Sequence, residues 1–272
     1  MKIYLLIQAR SSSTRLPFKS LLKIKNYFSI ELLYKRVRSK IYNTLVLTSK
    51  DKSDEYFSYL MKKKKIPFYR GNLLDVRNRF LKFKKNLKPN DILIRLTGDN
   101  LFVDKYLIKK LLNKIIKEKK EYVFVNNKFL NIPYGISAEA FKFSMLSEKK
   151  SYNKMDKEHV TYSFKKNIEN LIDVKGSIDW KKLNCSIDHL KDFQIVSNIF
   201  KKIKKPTKVS WNQLCVLLKK YSQFKQNLST DRINLLSLKS KDLSAHQIKK
   251  ILKLKQQQGK YSLKSQHNHF LK

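Results

Sequence analysis

The chain has 272 residues, of which 42% are hydrophobic, so it is long enough to bury a substantial core and its composition excludes a disordered protein. Its 61 lysines and arginines against 21 acidic residues give a formal net charge of +40. Such a charge is typical of proteins that bind nucleic acid or anionic membranes. The excess is mainly lysine spread along the whole chain, so the charge alone identifies neither partner.

Composition also bears on location and redox chemistry. The sequence has no window of about 18 uncharged apolar residues, so we expect no transmembrane segment. Met1 leads directly into a predicted strand and not into the segments of a signal peptide, so we expect a cytoplasmic protein. The cysteines, Cys185 and Cys215, have neither metal-ligand spacing nor a disulfide framework, and we interpret both as small buried hydrophobes.

The first half of the chain alternates short apolar runs with amphipathic patterns, which predicts strands separated by helices. In chain order these elements are a strand at 3–8, a helix at 30–40, a strand at 45–48, a helix at 53–64, a strand at 67–69, a helix at 74–87, a strand at 92–96, a helix at 105–117 and a strand at 122–125. Strands joined by helical crossovers form a parallel sheet, and ligands of such sheets bind at the carboxyl ends of the strands.

The second half is less regular. The remaining elements expected before residue 205 are a strand at 137–141, a helix after Met155, a strand at 183–187 and a helix at 191–202. We therefore assign residues 1–205 to one α/β domain and residues 206–272 to a basic helical C-terminal extension. Helices are predicted in this extension at 210–221 and from 243, and its polar end is expected to be disordered. A helical cap on the sheet, a dimer contact and a basic arm are open roles for it.

The segment that follows the first predicted strand, QARSSSTRLPFK, is rich in cations and hydroxyl groups. Arg10, Arg15 and Lys19 stand among four consecutive serines and threonines. Backbone N–H groups at the end of a parallel strand, together with such side chains, can bind several phosphate oxygens. The glycine patterns of a P-loop and of a dinucleotide fingerprint are both absent. We interpret the segment as a triphosphate-binding loop, with a solvated basic loop as the alternative.

Two aspartates follow predicted strands. Asp99 stands in IRLTGDN after the strand at 92–96, and Asp188 stands in NCSIDHL after the strand at 183–187. Carboxylates at such positions can hold Mg²⁺ against a phosphate, because Mg²⁺ takes one or two protein carboxylates together with oxygens of its substrate. Each aspartate can equally cap a helix or stabilise a turn, and sequence spacing does not decide between these roles.

Several motifs in order resemble one enzyme family. QARSSSTRLPFK resembles the signature R-x-x-S-x-R-L-P-x-K of the cytidylyltransferases that make activated sugars, specifically the branch named after spore coat polysaccharide biosynthesis. Its relatives are the synthetases of CMP-linked acidic sugars such as CMP-Kdo and CMP-acylneuraminate. Further blocks extend the resemblance over about residues 1–202; they are TSKDKSD, YRGNLLDVRNRF, IRLTGDN, YGISAEAF, KEHVTYSF and CSIDHLKDF.

This resemblance implies a fold and an activity. The fold is the nucleotide-diphospho-sugar transferase (GT-A or Rossmann-like) α/β/α sandwich with a mostly parallel sheet, here in the nucleotidyltransferase domain of residues 1–205. The activity is a nucleotidyltransferase reaction, in which CMP passes from CTP to a sugar or acidic sugar and pyrophosphate is released, for surface polysaccharide biosynthesis. The expected cofactor is Mg²⁺ or Mn²⁺. CTP and the acceptor are the expected partners, without specific nucleic acid, and a homodimer is compatible with the resemblance.

The resemblance also assigns roles to residues. The nucleotide-binding residues are Gln8, Ala9, Arg10, Ser13, Arg15, Lys19, Arg70, Asp75, Arg79 and Thr97. The catalytic residues are Arg15, Lys19 and Asp99, the metal ligands are Asp99 and Asp188, and the acceptor-side residues are Glu139 and His159. For Arg70, Asp75 and Arg79 a surface salt-bridge set is the alternative, and His159 can instead brace a helix.

The chain departs from the family pattern at five positions. Glycine is usual where Ser12 and Phe18 stand, aspartate where Ser137 stands, and proline where Leu101 and Tyr162 stand. A glycine can take φ > 0 or let the backbone approach a phosphate, so the first two departures concern the phosphate loop. The departure at Ser137 concerns the acceptor.

Three alternative functions stay open on the sequence. The first is a degenerate, non-catalytic member of the family. The second is a glycosyltransferase of the same fold, although the chain has no D-x-D metal motif. The third is a basic nucleic-acid-binding protein, although no helix-turn-helix, RNP or zinc pattern is present.

Overall fold

The computed structural model describes residues 1–125, 130–147, 153–164, 168–172 and 178–225. The strands are β1 (Ile3–Gln8), β2 (Lys23–Ile24), β3 (Tyr27–Phe28), β4 (Asn43–Ser49), β5 (Phe68–Gly71), β6 (Ile92–Thr97), β7 (Tyr122–Val125) and β8 (Ala138–Lys142). The α-helices are α1 (Ser29–Val37), α2 (Glu55–Lys63), α3 (Val76–Lys82), α4 (Lys105–Lys117), α5 (Ser144–Ser147), α6 (Lys154–His159), α7 (Leu190–Lys201) and α8 (Trp211–Lys225). Short 3₁₀ turns lie at Lys19–Leu21, Lys52–Asp54, Ile168–Asn170 and Ile178–Lys182.

The central sheet has six strands in the order β5-β4-β1-β6-β8-β7. The strands β5, β4, β1 and β6 run parallel, whereas β8 is antiparallel to both of its neighbours, β6 and β7. The mostly parallel α/β/α architecture expected from the sequence is therefore confirmed. Strands β2 and β3 form a separate antiparallel hairpin that the sequence analysis did not predict.

The sheet separates two hydrophobic cores, because successive side chains of a strand point to opposite faces. On β1, Leu5 and Ile7 pack into the larger core with α1, α2, α4, α7 and α8, whereas Tyr4 and Leu6 pack into the smaller core with α3. The strand β1 is buried on both faces, which explains why its sequence is a continuous apolar run. Because β1 lies between the parallel strands β4 and β6, its carboxyl end lies in the middle of one edge of the sheet.

Several predicted elements differ by a few residues at their ends, such as the helix expected at 30–40, which is Ser29–Val37, and two differ more. The helix expected at 74–87 is shorter, because Asp75 caps α3 and the helix ends at Lys82. The strand expected at 183–187 is wrong: Asn184 forms a single bridge with Tyr134, and the segment belongs to none of the strands in the described part of the chain. Its apolar residues indicate burial without sheet pairing, since Cys185 and Ile187 belong to the larger core.

The first part of the predicted C-terminal extension packs against the sheet domain. In α8, Leu214, Cys215 and Leu218 are buried in the larger core. The ring of Trp211 packs edge-to-face on Trp180, and the backbone N–H of Trp211 donates to Asp104 Oδ2 at 2.8 Å. The division after residue 205 stays a prediction, and the helix predicted from 243 and the polar tail lie outside the described residues.

No helix within the described ranges combines the length and the apolar character needed to cross a membrane.

Candidate active site

A cleft of about 280 Å³ opens at the carboxyl ends of β1 and β6. Most of its wall comes from the loop after β1, from the loop after β6 and from the ends of α3 and α6. The lining residues are Gln8, Ala9, Arg10, Ser13, Thr14, Arg15, Lys19, Ser20, Val76, Arg79, Thr97, Gly98, Asp99, Glu158 and His159. Of the residues predicted for the site, the cleft thus brings together all except Arg70, Asp75, Glu139 and Asp188.

The loop after β1 is fixed at its base by a buried carboxylate. Asp54 is fully buried, and its Oδ1 accepts a hydrogen bond of 2.6 Å from the backbone N–H of Ser11. Its Oδ2 accepts from the N–H of Ser49 at 3.1 Å and from the Ser49 hydroxyl. The carboxylate therefore ties the loop to the end of β4. The sequence analysis did not single out Asp54, although it ends the block TSKDKSD.

The same loop folds back on itself through the carbonyl of Ser11. This carbonyl accepts from the N–H groups of Ser13 and Phe18, at 2.9 and 2.8 Å. Phe18 adopts a left-handed conformation with φ 56°, the region that favours glycine, while its side chain is buried in the larger core. Six non-glycine residues of the described chain have positive φ, and Ser12 is not among them. Of the two departures from glycine, only the one at Phe18 thus stands at a left-handed position.

The cations of this loop meet two carboxylates. Lys19 Nζ lies 2.6 Å from Asp99 Oδ2 and 3.2 Å from Asp188 Oδ1, and it donates to the carbonyl of Ile187 at 2.7 Å. The guanidinium of Arg15 lies 2.8 Å from Asp188 Oδ1 and keeps 58% of its side chain exposed. The two aspartates predicted as metal ligands therefore converge at the cleft, although one of them is not part of its lining.

This cluster fits a divalent cation. Two carboxylate oxygens and one carbonyl oxygen already surround the cationic nitrogen of Lys19, so the place stabilises positive charge. The described part of the chain holds no group of three or more His, Cys, Asp or Glu residues suited to a metal. Asp99 and Asp188 would supply two carboxylates, which is the usual share for Mg²⁺ bound together with a substrate phosphate.

The floor of the cleft is formed by the closely packed ends of β1 and β6. The N–H of Gly98 donates to the carbonyl of Gln8 at 2.9 Å, and the N–H of Ala9 donates to the carbonyl of Leu47 at 3.0 Å. A Cβ atom on Gly98 would lie 2.9 Å from the Cβ of Ala9, so this position has no room for a side chain. These backbone groups hold the strand ends together beside Thr97.

A polar network lies beneath this floor. Arg95 donates from Nε to Gln8 Oε1 at 2.9 Å and from Nη1 to Glu139 Oε2 at 2.6 Å. Tyr122 and Thr161 donate their hydroxyls to Glu139, each at 2.8 Å. Burial, and then the charge of Glu139, raises the pKa of Tyr122. Glu139 is buried and lies outside the cleft lining, and Arg95 is a network member that the sequence analysis missed.

Three predicted residues of the YRGNLLDVRNRF block have different positions. Arg79 is buried, lines the cleft and donates to the carbonyls of Asn72 and Leu73 at 2.6 and 2.7 Å. Burial lowers its pKa to about 10. Arg70 donates to the carbonyls of Ser49 and Asp51 instead of facing the cleft. Asp75 caps α3 by accepting from the N–H of Asn78 at 2.8 Å.

A strained turn places the end of α6 at the cleft. Val160 has φ 58° and ψ −53°, and the N–H of Thr161 donates to the carbonyl of His159, which makes a γ-turn of the rare type. The buried Arg77 donates to the carbonyl of Val160 at 3.1 Å and holds the turn. Glu158 and His159 thereby line the cleft, and Glu158 was not predicted.

The three other departures from the family pattern, Ser137, Leu101 and Tyr162, differ in burial and in their hydrogen bonds. Ser137 accepts a hydrogen bond of 2.7 Å from Asn100 Nδ2, next to Asp99. Leu101 is buried, and its carbonyl accepts from Arg36 Nε at 2.8 Å. Tyr162 is exposed. The side chain of Tyr134 is about half exposed, and partial burial, followed by the charges of Asp188 and Asp99, raises its pKa.

Comparisons with known proteins agree with this geometry. A family model described as cytidylyltransferase matches residues 4–261. Among curated proteins, the uncharacterized protein MJ1063 of Methanocaldococcus jannaschii is 32% identical over 204 residues, which cover 72% of this chain and 82% of that protein. The spore coat polysaccharide biosynthesis protein SpsF of Bacillus subtilis is 27% identical over 229 residues, covering 79% of this chain and 93% of SpsF.

A solved structure is similar over most of the chain. The structure of a cytidylyltransferase from Leptospira borgpetersenii serovar Hardjo-bovis has a TM-score of 0.73 and 26% sequence identity, and the match covers 85% of this chain and 100% of the other. Together with the cleft at the strand ends, these similarities identify the chain as a nucleotidyltransferase that belongs to the cytidylyltransferase family.

Proposed function

We propose that the protein transfers CMP from CTP to a sugar or acidic sugar, with release of pyrophosphate, in the synthesis of a surface polysaccharide or glycan. The observation that carries the proposal is the meeting of Lys19 and Arg15 with Asp99 and Asp188 beside the cleft. A nucleoside triphosphate bound through a divalent cation needs cations for its phosphates and carboxylates for its metal. This cluster offers both within one hydrogen-bonded group.

The phosphates of CTP would bind to the loop after β1. Arg10, Arg15 and Lys19 supply positive charge there, and the hydroxyls of Ser13 and Thr14 supply further donors. These groups stand at the carboxyl end of a central parallel strand, where α/β proteins bind ligands. Arg10 and Arg79 both donate to the carbonyl of Leu73, at 3.4 and 2.7 Å, so a half-buried and a buried cation hold the neighbouring wall.

In the proposed reaction an oxygen of the acceptor attacks the α-phosphorus of CTP. The new P–O bond forms as the bond from the α-phosphorus to the bridging oxygen of the β-phosphate breaks, and pyrophosphate leaves with the electron pair. Arg15 and Lys19 would stabilise the charge that builds on pyrophosphate. Asp99 and Asp188 would hold Mg²⁺ or Mn²⁺, which, when bound, neutralises phosphate charge. His159 at the cleft edge is the candidate to take the proton of an attacking hydroxyl.

The acceptor would enter from the side of α6. Glu158 and His159 line that side of the cleft, and the aromatic ring of Tyr134 stands exposed near the two carboxylates. SpsF is named for polysaccharide biosynthesis, which supports a sugar as the acceptor. A cytoplasmic location and a homodimer stay predictions from the sequence.

The test is thermal stabilisation by each nucleoside triphosphate with and without Mg²⁺, followed by pyrophosphate release from CTP with a panel of acidic and neutral sugars. We expect a CTP-selective, Mg²⁺-dependent rise in Tm, since a ligand that binds only the native state stabilises it. The rise should be lost in Asp99→Ala and Arg15→Ala and kept in Arg38→Ala, which removes an exposed arginine outside the cleft. A Tm that no nucleotide changes would contradict the proposal.

A further inference from the structure

The side-chain amide of Gln8 has one orientation that its neighbour allows. Gln8 lines the cleft, and its Oε1 accepts a hydrogen bond of 2.9 Å from Arg95 Nε. A guanidinium carries only donors, so the group that faces Arg95 must be the amide oxygen and not the amide nitrogen. The Nε2 group, with two N–H donors, is therefore left for the cleft.

The guanidinium that sets this orientation is itself fixed. In the sheet register Gln8 pairs with Thr97, so Arg95 lies two residues earlier on β6, on the same face. Arg95 is directly opposite Glu139 of β8, and their ion pair of 2.6 Å is 14% and 10% exposed. The Tyr122 and Thr161 hydroxyls also donate hydrogen bonds to this carboxylate. Rotation of the Gln8 amide would break its hydrogen bond to Arg95, which belongs to a largely buried network of charged hydrogen bonds.

The cleft has a charged part and an uncharged part. Its cations come from the loop after β1 and from α3, whereas the ends of β1 and β6 contribute the uncharged residues Gln8, Ala9, Thr97 and Gly98. A nucleotide whose phosphates bind to the cations would bring its base to the uncharged strand ends. The ring of cytosine carries two acceptors, the N3 nitrogen and the O2 oxygen, which complement an N–H donor.

We propose that Gln8 recognises the base of CTP by donating a hydrogen bond from Nε2 to an acceptor of the cytosine ring. Glu139 is then a positioning residue, which acts on the base through Arg95 and Gln8 instead of contacting the acceptor sugar. The inference rests on the proposed function, because it takes CTP as the ligand.

The first experiment compares two ligands in the presence of Mg²⁺, CTP and inorganic tripolyphosphate, by titration calorimetry. Tripolyphosphate has the phosphates but no base, so the ratio of the two Kd values isolates the contribution of the nucleoside. We expect Gln8→Met, which keeps the side-chain length, to weaken CTP binding about tenfold, the value of one hydrogen bond. Tripolyphosphate binding should change less than about twofold. Gln194→Met on α7, outside the cleft, is the matched control.

The second experiment tests the positioning role of Glu139. We expect Glu139→Gln to weaken CTP binding severalfold and to leave tripolyphosphate binding unchanged, because the amide loses the charge that fixes Arg95. In the double variant with Gln8→Met, the Glu139 substitution should have no further effect on CTP affinity, since both act through one hydrogen bond. A merely structural role of Glu139 would add to the effect of Gln8→Met and would weaken both ligands.

The outcomes separate the inference from the function on which it rests. If the unaltered protein binds CTP more tightly than tripolyphosphate and Gln8→Met keeps this preference, the inference is wrong and the proposed function stands. If Glu139→Gln raises the KM of the acceptor and leaves the Kd of CTP unchanged, the positioning role is wrong. If the unaltered protein binds CTP no better than tripolyphosphate, the inference fails. If it binds neither ligand, the proposed function fails as well.

Discussion

Lys19 Nζ lies 2.6 Å from Asp99 Oδ2, and this ion pair joins the loop after β1 to the loop after β6. Both side chains are largely withdrawn from solvent, with 14% and 21% exposed. Asp188 Oδ1 lies 3.2 Å from the same Lys19 nitrogen, so Lys19 also separates two carboxylates that would otherwise repel each other. The lysine thus stabilises the protein, and its ammonium group occupies a position where two carboxylates favour a cation.

Lys19→Met should therefore lower the Tm in EDTA and increase the stabilisation that Mn²⁺ provides, because the two carboxylates lose their internal cation. Transfer activity should fall about 10²-fold, as expected when a donor that stabilises a leaving group is removed. Differential scanning fluorimetry with and without Mn²⁺ measures the first effect, and pyrophosphate release measures the second. Lys50→Met, at an exposed position outside the cleft, is the control. Equal stabilisation of Lys19→Met and the unaltered protein by Mn²⁺ would contradict this account.

Asp54→Asn should destabilise the fold and weaken CTP binding together. The substitution replaces one carboxylate oxygen, which accepts from Ser11 or Ser49, by an NH₂ group that can only donate. Hydrogen bonds to a buried charge contribute about 1.5–3 kcal/mol each to the free energy of unfolding. Urea denaturation and CTP titration measure the two effects. Asp51→Asn removes the charge of a neighbouring, exposed capping aspartate and should cost about 1 kcal/mol or less, without an effect on CTP. Similar losses in both variants would show that Asp54 does not fix the loop.

Phe18 should reverse the usual order of alanine and glycine. Both Phe18→Ala and Phe18→Gly lose a buried ring and should destabilise the protein by about 3 kcal/mol or more. Because φ is 56°, the glycine variant should be the more stable by about 1 kcal/mol.

The matched pair for Phe18 is Phe80→Ala and Phe80→Gly in the helix α3. There the alanine variant should be the more stable by about 1 kcal/mol, since helical φ is negative. Chemical denaturation of the four variants measures both differences. The same order at the two positions would contradict a left-handed Phe18.

Arg36→Met should detach the chain before α8 from the loop after β6. The guanidinium is buried and donates to the carbonyls of Leu101, Phe102, Pro206 and Val209 at 2.8–2.9 Å. Burial lowers its pKa to about 10, and the nearby charge of Asp104 opposes this shift, so Arg36 is charged at neutral pH. Loss of these bonds leaves buried carbonyls unsatisfied, and we expect the free energy of unfolding to fall by about 3 kcal/mol.

Tryptophan fluorescence reports this detachment directly. Trp180 and Trp211 are the two tryptophans of the chain, and their ring centroids lie 6.0 Å apart where the start of α8 meets the sheet domain. A red shift of their emission in Arg36→Met, absent in Arg38→Met at an exposed position, is the expected result. An unchanged spectrum and unchanged stability would show that Arg36 does not hold this junction.

Neither cysteine should react in the native protein. Cys185 and Cys215 are fully buried, and burial raises the pKa of both thiols, so the reactive thiolate is absent at neutral pH. A thiol reagent at pH 7.5 should label both residues only after denaturation. This pH is about one unit below the pKa of an ordinary cysteine, so the exposed thiols of the unfolded chain react. Rapid labelling of the folded protein would contradict this expectation.

The sequence by itself predicted the features that depend on local pattern. The bounds of β1, α4 and β7 agree with their predicted ranges, because a continuous apolar run or a helical period reports burial directly. The burial of Cys185 and Cys215 is confirmed for the same reason. The order of short motifs was enough to predict the family, which the comparison with family models confirms.

Tertiary structure decided which side chains meet. The spacing of Asp99 and Asp188 could not show that both converge on Lys19, since their distance along the chain says nothing of their distance in space. The segment at 183–187 has the apolar pattern of a strand, but among the described residues its pairing is limited to one bridge between Asn184 and Tyr134, and a strand needs a longer hydrogen-bonded neighbour. The acceptor-side role of Glu139 stays a prediction, whereas the structure decides its partners: its oxygens accept from Arg95, Tyr122 and Thr161, because the register of β6 and β8 brings these groups together. Sequence pattern reports local burial, and only the packing of distant segments assigns each buried polar group its partner.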